Sequence, residues 1–188
     1  MANPTYTRPL TTTRARVWLA ALNALGGLAV LGSYGLLFAR PDANDVLWGG
    51  VPEGLRALYT HNMLLAAAGY FPFTAVFLLA DPGRVRFGGG FGYRLIWVLY
   101  ALVLIPSALW MPLTFAWADA PSTLGWWVIR IDLALVGLGA LGLLAALLTM
   151  EPRPARWLHV LAVVGCLFFC LQTAVLDATI WPAFYPTP

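Results

Sequence analysis

Apolar residues run along this chain in five long stretches: Val17 to Phe38, Leu58 to Ala80, Leu95 to Trp117, Trp126 to Met150 and Trp157 to Trp181. Each reaches the roughly 20 residues a helix needs to cross a bilayer core. The pattern predicts an all-α, polytopic membrane protein with five transmembrane helices in a single domain, 1–188. Five crossings put the termini on opposite sides. The first stretch exceeds the roughly 7 to 15 residues of a signal-peptide core, so it reads as a retained helix. Pro72, Pro106 and Pro112 fall inside the second and third stretches, where each removes a backbone hydrogen bond and is expected to kink its helix. The fourth carries Gly137, Gly139, Gly142 and Ala146, a small-residue face that permits close helix approach, within one copy or across a homodimer seam.

Composition sharpens the class. Of 188 residues, 61% are hydrophobic and 10% charged, and the mean hydropathy is +0.77, whereas soluble domains run at about 25% charged. All 11 basic residues are arginine. Their distribution speaks of topology and not of nucleic acid: Arg8, Arg14 and Arg16 precede the first span, Arg84, Arg86 and Arg94 sit around the second loop, and Arg153 and Arg156 around the fourth. The other side holds Arg40 and Arg56. The positive-inside rule then places the N-terminus in the cytoplasm and the C-terminus outside a cell membrane. The first loop, from Ala39 to Ala57, is outside and is expected to be the longest connection. The remaining loops read as short, so consecutive helices should be antiparallel neighbours.

Orientation converts sequence position into depth. Polar side chains inside membrane spans are costly and are functional candidates by default. His61, Asn62, Arg130 and Asp132 fall in the first turns of inward-running spans, and Trp110, Asp177 and Trp181 near the ends of outward-running ones, with Tyr34 at the same level. Asn23, His159 and Gln172 lie deeper or toward the cytoplasm. Asp177 should meet Arg130 or His61, as a structural pair or as part of a ligand cup. Trp126, Trp127 and Trp157 suit an interfacial belt, while Trp110, just before Pro112, suits a pocket wall. Such a ring-lined cavity with a few polar groups fits a flat apolar ligand.

Several chemistries are disfavoured. Gly88 to Gly90 lacks the Lys-Ser/Thr of a phosphate loop, and His61 and His159 lie near opposite faces, which argues against bis-histidine haem. No His, Cys or Glu pair has zinc spacing. Cys166 and Cys170 are placed for packing and not for a disulfide. No catalytic or metal-binding residue is assigned, although an acid/base role for His61, Asp132 or Asp177 stays open.

Three segments resemble the translocator protein family, also called tryptophan-rich sensory proteins. They are Ser107-Ala108-Leu109-Trp110-Met111-Pro112-Leu113-Thr114-Phe115 in the third span, Thr173, Leu176, Asp177 and Trp181 in the fifth, and Leu58-Tyr59-Thr60 with Met63 in the second. Trp48 and Pro52 would belong to the first loop, which covers the pocket in that family. Ser107 and Asp177 stand where the family has asparagines. The resemblance implies a five-helix, non-enzymatic and often dimeric binder of tetrapyrroles, sterols or similar flat lipids. The expected ligand-binding residues are Trp48, His61, Asn62, Ser107, Trp110, Arg130, Asp132, Asp177 and Trp181, and the ligand a porphyrin, sterol or similar lipid, with membrane lipids and a second copy as possible partners. The rival readings are an accessory subunit of a larger membrane complex and an intramembrane lipid isomerase.

Overall fold

The computed structural model describes residues 12–185. Arg8 lies outside the described residues. The chain is helical nearly throughout: α1 (Thr12–Tyr34), α2 (Leu36–Ala39), α3 (Ala43–Trp48), α4 (Glu53–Leu79), α5 (Arg94–Asp119), α6 (Thr123–Thr149), α7 (Arg156–Cys170), a π-helical segment (Leu171–Ile180) and α8 (Trp181–Phe184). A 3-10 turn, Gly88–Gly90, interrupts the second connection. Five segments are long and apolar enough to cross a membrane: Thr12–Ala39, Glu53–Leu79, Arg94–Asp119, Thr123–Thr149 and Arg156–Phe184. The protein is an all-α, multi-pass membrane protein.

Local chemistry fixes the helix ends. Gly35 breaks α1 from α2, its amide bonding back to Gly32 O at 3.0 Å. Gly49 closes α3 at a φ of 51°, in the left-handed region where a side chain is disfavoured. Ser122 caps α6 by accepting from the Gly125 amide at 3.1 Å, the usual role of a serine ahead of a helix. Arg16 of α1 donates to the Leu79 and Ala80 carbonyls, satisfying the C-terminus of α4 with a cation. Pro72, Pro106 and Pro112 all lie within continuous helices.

The bundle order is not the chain order. α1 packs on α5, α5 on α6, α6 on α7 and the π-helical segment, and α7 on α4, which closes back lightly on α1. Consecutive spans are therefore neighbours for α5 and α6 and for α6 and α7. The expectation fails for α4 and α5, which meet through side chains: Tyr100 donates to Thr74 Oγ1 at 2.8 Å and Tyr93 to Phe77 O at 2.9 Å. The connection 80–93 is as long as 40–52, contrary to the expectation of one long first loop, because it carries the chain between helices that are not adjacent.

Small residues set the closest approaches. A Cβ on Gly69 would stand 2.5 Å from Gly165 Cα, so α4 and α7 touch backbone to backbone. Gly137 faces Ala174, and Gly139 and Gly142 face Val103 and Leu99 of α5. The glycine face of the fourth span is thus consumed inside one copy. The core has two main layers. One, built on Phe73, Phe77, Ile96, Tyr100, Leu143 and Leu147, fills the end near the 3-10 turn. The other, rich in aromatic rings, fills the end near α3.

Candidate functional site

At the α3 end, five rings pack as a continuous cluster. Trp181 and Tyr185 lie 4.3 Å apart between centroids, Trp126 stacks on Tyr185 at 5.6 Å and 12°, and Trp117 meets Tyr185 at 5.4 Å. Trp110 stands edge-on to Trp181 at 6.1 Å. Trp126 is only 4% exposed, whereas Trp127 is 55% and Trp157 70% exposed. Trp126 therefore leaves the interfacial belt assigned to it from sequence and joins the cluster, because α6 turns it toward α8 while its neighbour Trp127 points outward.

α3 covers this cluster and is tied to it by backbone acceptors. Trp181 Nε1 donates to Leu47 O at 2.7 Å, Tyr185 donates its hydroxyl to Val46 O, and the Gly50 amide donates to Phe184 O at 3.1 Å. Arg40 holds the near edge, bonding Asp119 at 2.8 Å and Asp42 at 2.7 Å with its guanidinium over the Phe115 ring. The Arg40 guanidinium keeps the Asp42 carboxyl below its ordinary range. Trp48 is half-buried under the loop, edge-on to Tyr59 at 5.9 Å, and Tyr59 donates to Leu176 O at 2.8 Å.

A polar chain runs beneath the rings. Asn62 Nδ2 donates to Gln172 Oε1 at 3.0 Å and to Phe168 O at 3.2 Å, and Gln172 Nε2 donates to Asp177 Oδ1 at 2.8 Å. Gln172 and Asp177 are five apart, so the π-helical winding, which aligns residues i and i+5, is what brings them together. The same winding lets Thr179 Oγ1 donate to Ala174 O at 2.9 Å.

The expected partnership of Asp177 with Arg130 or His61 is not formed. The ion pairs among the described residues are Arg40 with Asp42, Arg40 with Asp119, and Arg84 with Asp81. Arg130 lies over its neighbour Trp127, 5.5 Å from the ring centre, and His61 is exposed with Nδ1 2.6 Å from Ala57 O of its own helix. His61 is exposed and Arg130 half-buried, and neither reaches Asp177.

Among the described residues four buried side-chain polar atoms have no partner: Asp132 Oδ2 and Trp110 Nε1 in the α3 half, and Trp97 Nε1 and His159 Nδ1 near the other end. Gly139 packs on Val103 across the antiparallel α5–α6 contact, and two helical turns on from that contact stand Asp132 and Trp110, each seven residues away. By the helical rise they therefore stand at a similar level of the α5–α6 contact. Ser107, half-buried, lies one turn below Trp110. All nine residues expected from sequence fall in the α3 half of the bundle, but His61 is exposed on its own helix and Arg130 lies over Trp127, so neither joins the other seven, Trp48, Asn62, Ser107, Trp110, Asp132, Asp177 and Trp181. Sequence reasoning missed Tyr59, Trp117, Trp126 and Tyr185 as cluster members, Gln172 as the link to Asp177, and Arg40 as the loop's anchor. The one legible signal was the Gln172–Asp177 spacing, uninformative until the winding is known. Among the described residues no three His, Cys, Asp or Glu side chains converge as a metal site requires. Cys166 and Cys170 are free and buried. No family model, curated protein or solved structure matches the chain.

Proposed function

We propose that this protein binds a planar, mostly apolar ligand, a porphyrin, sterol or similar lipid, within the ring cluster beneath α3, and does no chemistry on it. The carrying observation is that two of the four unpartnered buried polar atoms, Asp132 Oδ2 and Trp110 Nε1, stand at one level next to a ring cluster. Buried polar atoms are normally paired, and a ligand that brings one polar group among the rings would satisfy what the chain does not. In this reading Trp110, Trp126 and Trp181 supply ring surface to the ligand, with α3 as the cover. The arginine-rich end faces the cytoplasm and the α3 end the outside.

The test is quenching of tryptophan fluorescence in detergent-purified protein by protoporphyrin and by a fluorescent sterol. Trp110→Ala is expected to weaken saturable binding by about tenfold, the equivalent of a lost aromatic stacking partner. Trp157→Ala, altering an exposed ring, should leave affinity unchanged. Equal effects at the two positions, or quenching that never saturates, would remove the site.

A second reading, a subunit of a homodimer or a larger membrane assembly, draws on α1. Only 6% of the apolar window of the first span is buried, against 33% to 50% for the other four. Co-purification at fixed stoichiometry, or a dimer mass in detergent, supports it, and a monodisperse monomer opposes it.

A further inference from the structure

The end opposite α3 carries a feature unrelated to the ring cluster. The second and fourth connections are docked to each other by backbone pairing: the Arg86 amide donates to Glu151 O at 2.8 Å and the Glu151 amide to Arg86 O at 2.9 Å. The Gly88 amide adds a bond to Thr149 Oγ1 at 2.9 Å. Along 84–87 the side chains alternate in the manner of a strand, with Val85 and Phe87 buried in the core and Arg84 and Arg86 outside. The result is an open groove of about 750 Å³ lined by Arg84, Arg86, Glu151, Pro152 and Arg153.

The guanidinium groups are partly positioned by the chain itself. Arg86 Nη1 donates to Val85 O at 2.7 Å and Gly83 O at 3.3 Å, Arg153 Nη2 donates to Leu148 O at 3.2 Å, and Arg84 lies 3.6 Å from Asp81. Each guanidinium has five N–H donors, so all three keep donors for an incoming anion. Glu151 opposes them, leaving the lining cationic. Exposed Trp18, Phe91 and Trp157 mark the same end, and such rings gather at the level of lipid headgroups. Three residues past Arg153 an exposed strip of α7 begins, made by Arg156, Trp157, Val160, Leu161 and Val164. It is apolar except at Arg156.

We infer that Arg84, Arg86 and Arg153 form a headgroup site for an anionic phospholipid, whose acyl chain lies along the exposed apolar face of α7. A phosphodiester presents two acceptor oxygens suited to paired guanidinium donors. The groove is too open to enclose a free ion, and the adjoining apolar track fits what a lipid adds to a phosphate.

The experiment is native mass spectrometry of the full chain exchanged into mixed micelles containing equal phosphatidylglycerol and phosphatidylcholine. Phosphatidylglycerol should be retained preferentially. The double variant Arg84→Gln with Arg153→Gln should reduce that preference by about thirtyfold, the equivalent of about 1 kcal/mol for each of the two arginines near a lipid surface. The charge-matched control Arg14→Gln with Arg94→Gln, at the same end but outside the groove, should keep it. Glu151→Gln, which leaves the backbone pairing intact, should raise retention, so the inference does not depend on a variant that loosens the loops. Equal losses in the two double variants, or no preference in the parent, would overturn the site. Displacement of the lipid by inorganic phosphate, beyond that by sodium chloride of equal ionic strength, would overturn the lipid as occupant.

Discussion

Gln172 shows how much one side chain can hold. It accepts from Asn62 and donates to Asp177, so two helical segments share a single amide. Gln172→Leu would leave the Asp177 carboxylate without its donor and cut Asn62 back to its bond with Phe168 O. Orphaning buried polar groups costs about 1 to 3 kcal/mol each, and the variant should melt several degrees below the parent in detergent. His61→Leu, which alters an exposed ring bonded only within its own helix, should melt like the parent. Equal melting of Gln172→Leu and the parent would show the polar chain to be dispensable. Asp177 was legible in sequence as a costly membrane carboxylate. Its partner was not, because an i to i+5 pair forms only where the helix winds as π.

At the scale of elements, the contact between α4 and α7 is set by Gly69 and Gly165. Gly69→Ala would drive a methyl group into the Gly165 backbone and pry the two helices apart. A cost of about 1 to 3 kcal/mol is expected, as for other overpacked sites, read as a lower melting temperature. Gly27→Ala, whose Cβ would meet nothing within 4 Å, should be neutral or stabilising by up to about 1 kcal/mol through helix propensity. If both variants melt alike, the close approach is not a stability determinant. The small residues of the fourth span stood out in the sequence, yet the tightest glycine pair lies elsewhere, since one glycine in each of two distant spans leaves no local pattern.

For the whole molecule, the two ends differ in charge and in covering. One carries α3, Arg40 and the aromatic cluster, and the other the docked connections and the arginines. The proposed orientation has a direct test, made clean by the burial of both native cysteines. Asn44→Cys, on the exposed side of α3, should react with an impermeant maleimide in intact cells, and Gly92→Cys, in the other end's connection, only after permeabilisation. The reverse pattern would invert the topology.

Apolar length alone determined the five spans, because a bilayer core sets a minimum run of hydrophobic residues whatever the helices pack against. The structure starts each of them earlier, as in Glu53–Leu79 for the stretch read as Leu58 to Ala80. Level along the bundle was also read from the sequence, so Tyr34, His61, Asn62, Trp110, Arg130, Asp132, Asp177 and Trp181 were expected at one height before any contact was known. Azimuth was not. In a span that is apolar on every side, no polar stripe tells which face meets a helix and which meets lipid, so Trp126 and Trp127 looked alike, and Arg130 and His61 seemed available to Asp177. Only the tertiary packing turned Trp126 inward, sent Arg130 onto Trp127, set α4 beside α7, and bent the fifth span into the winding that joins Gln172 to Asp177.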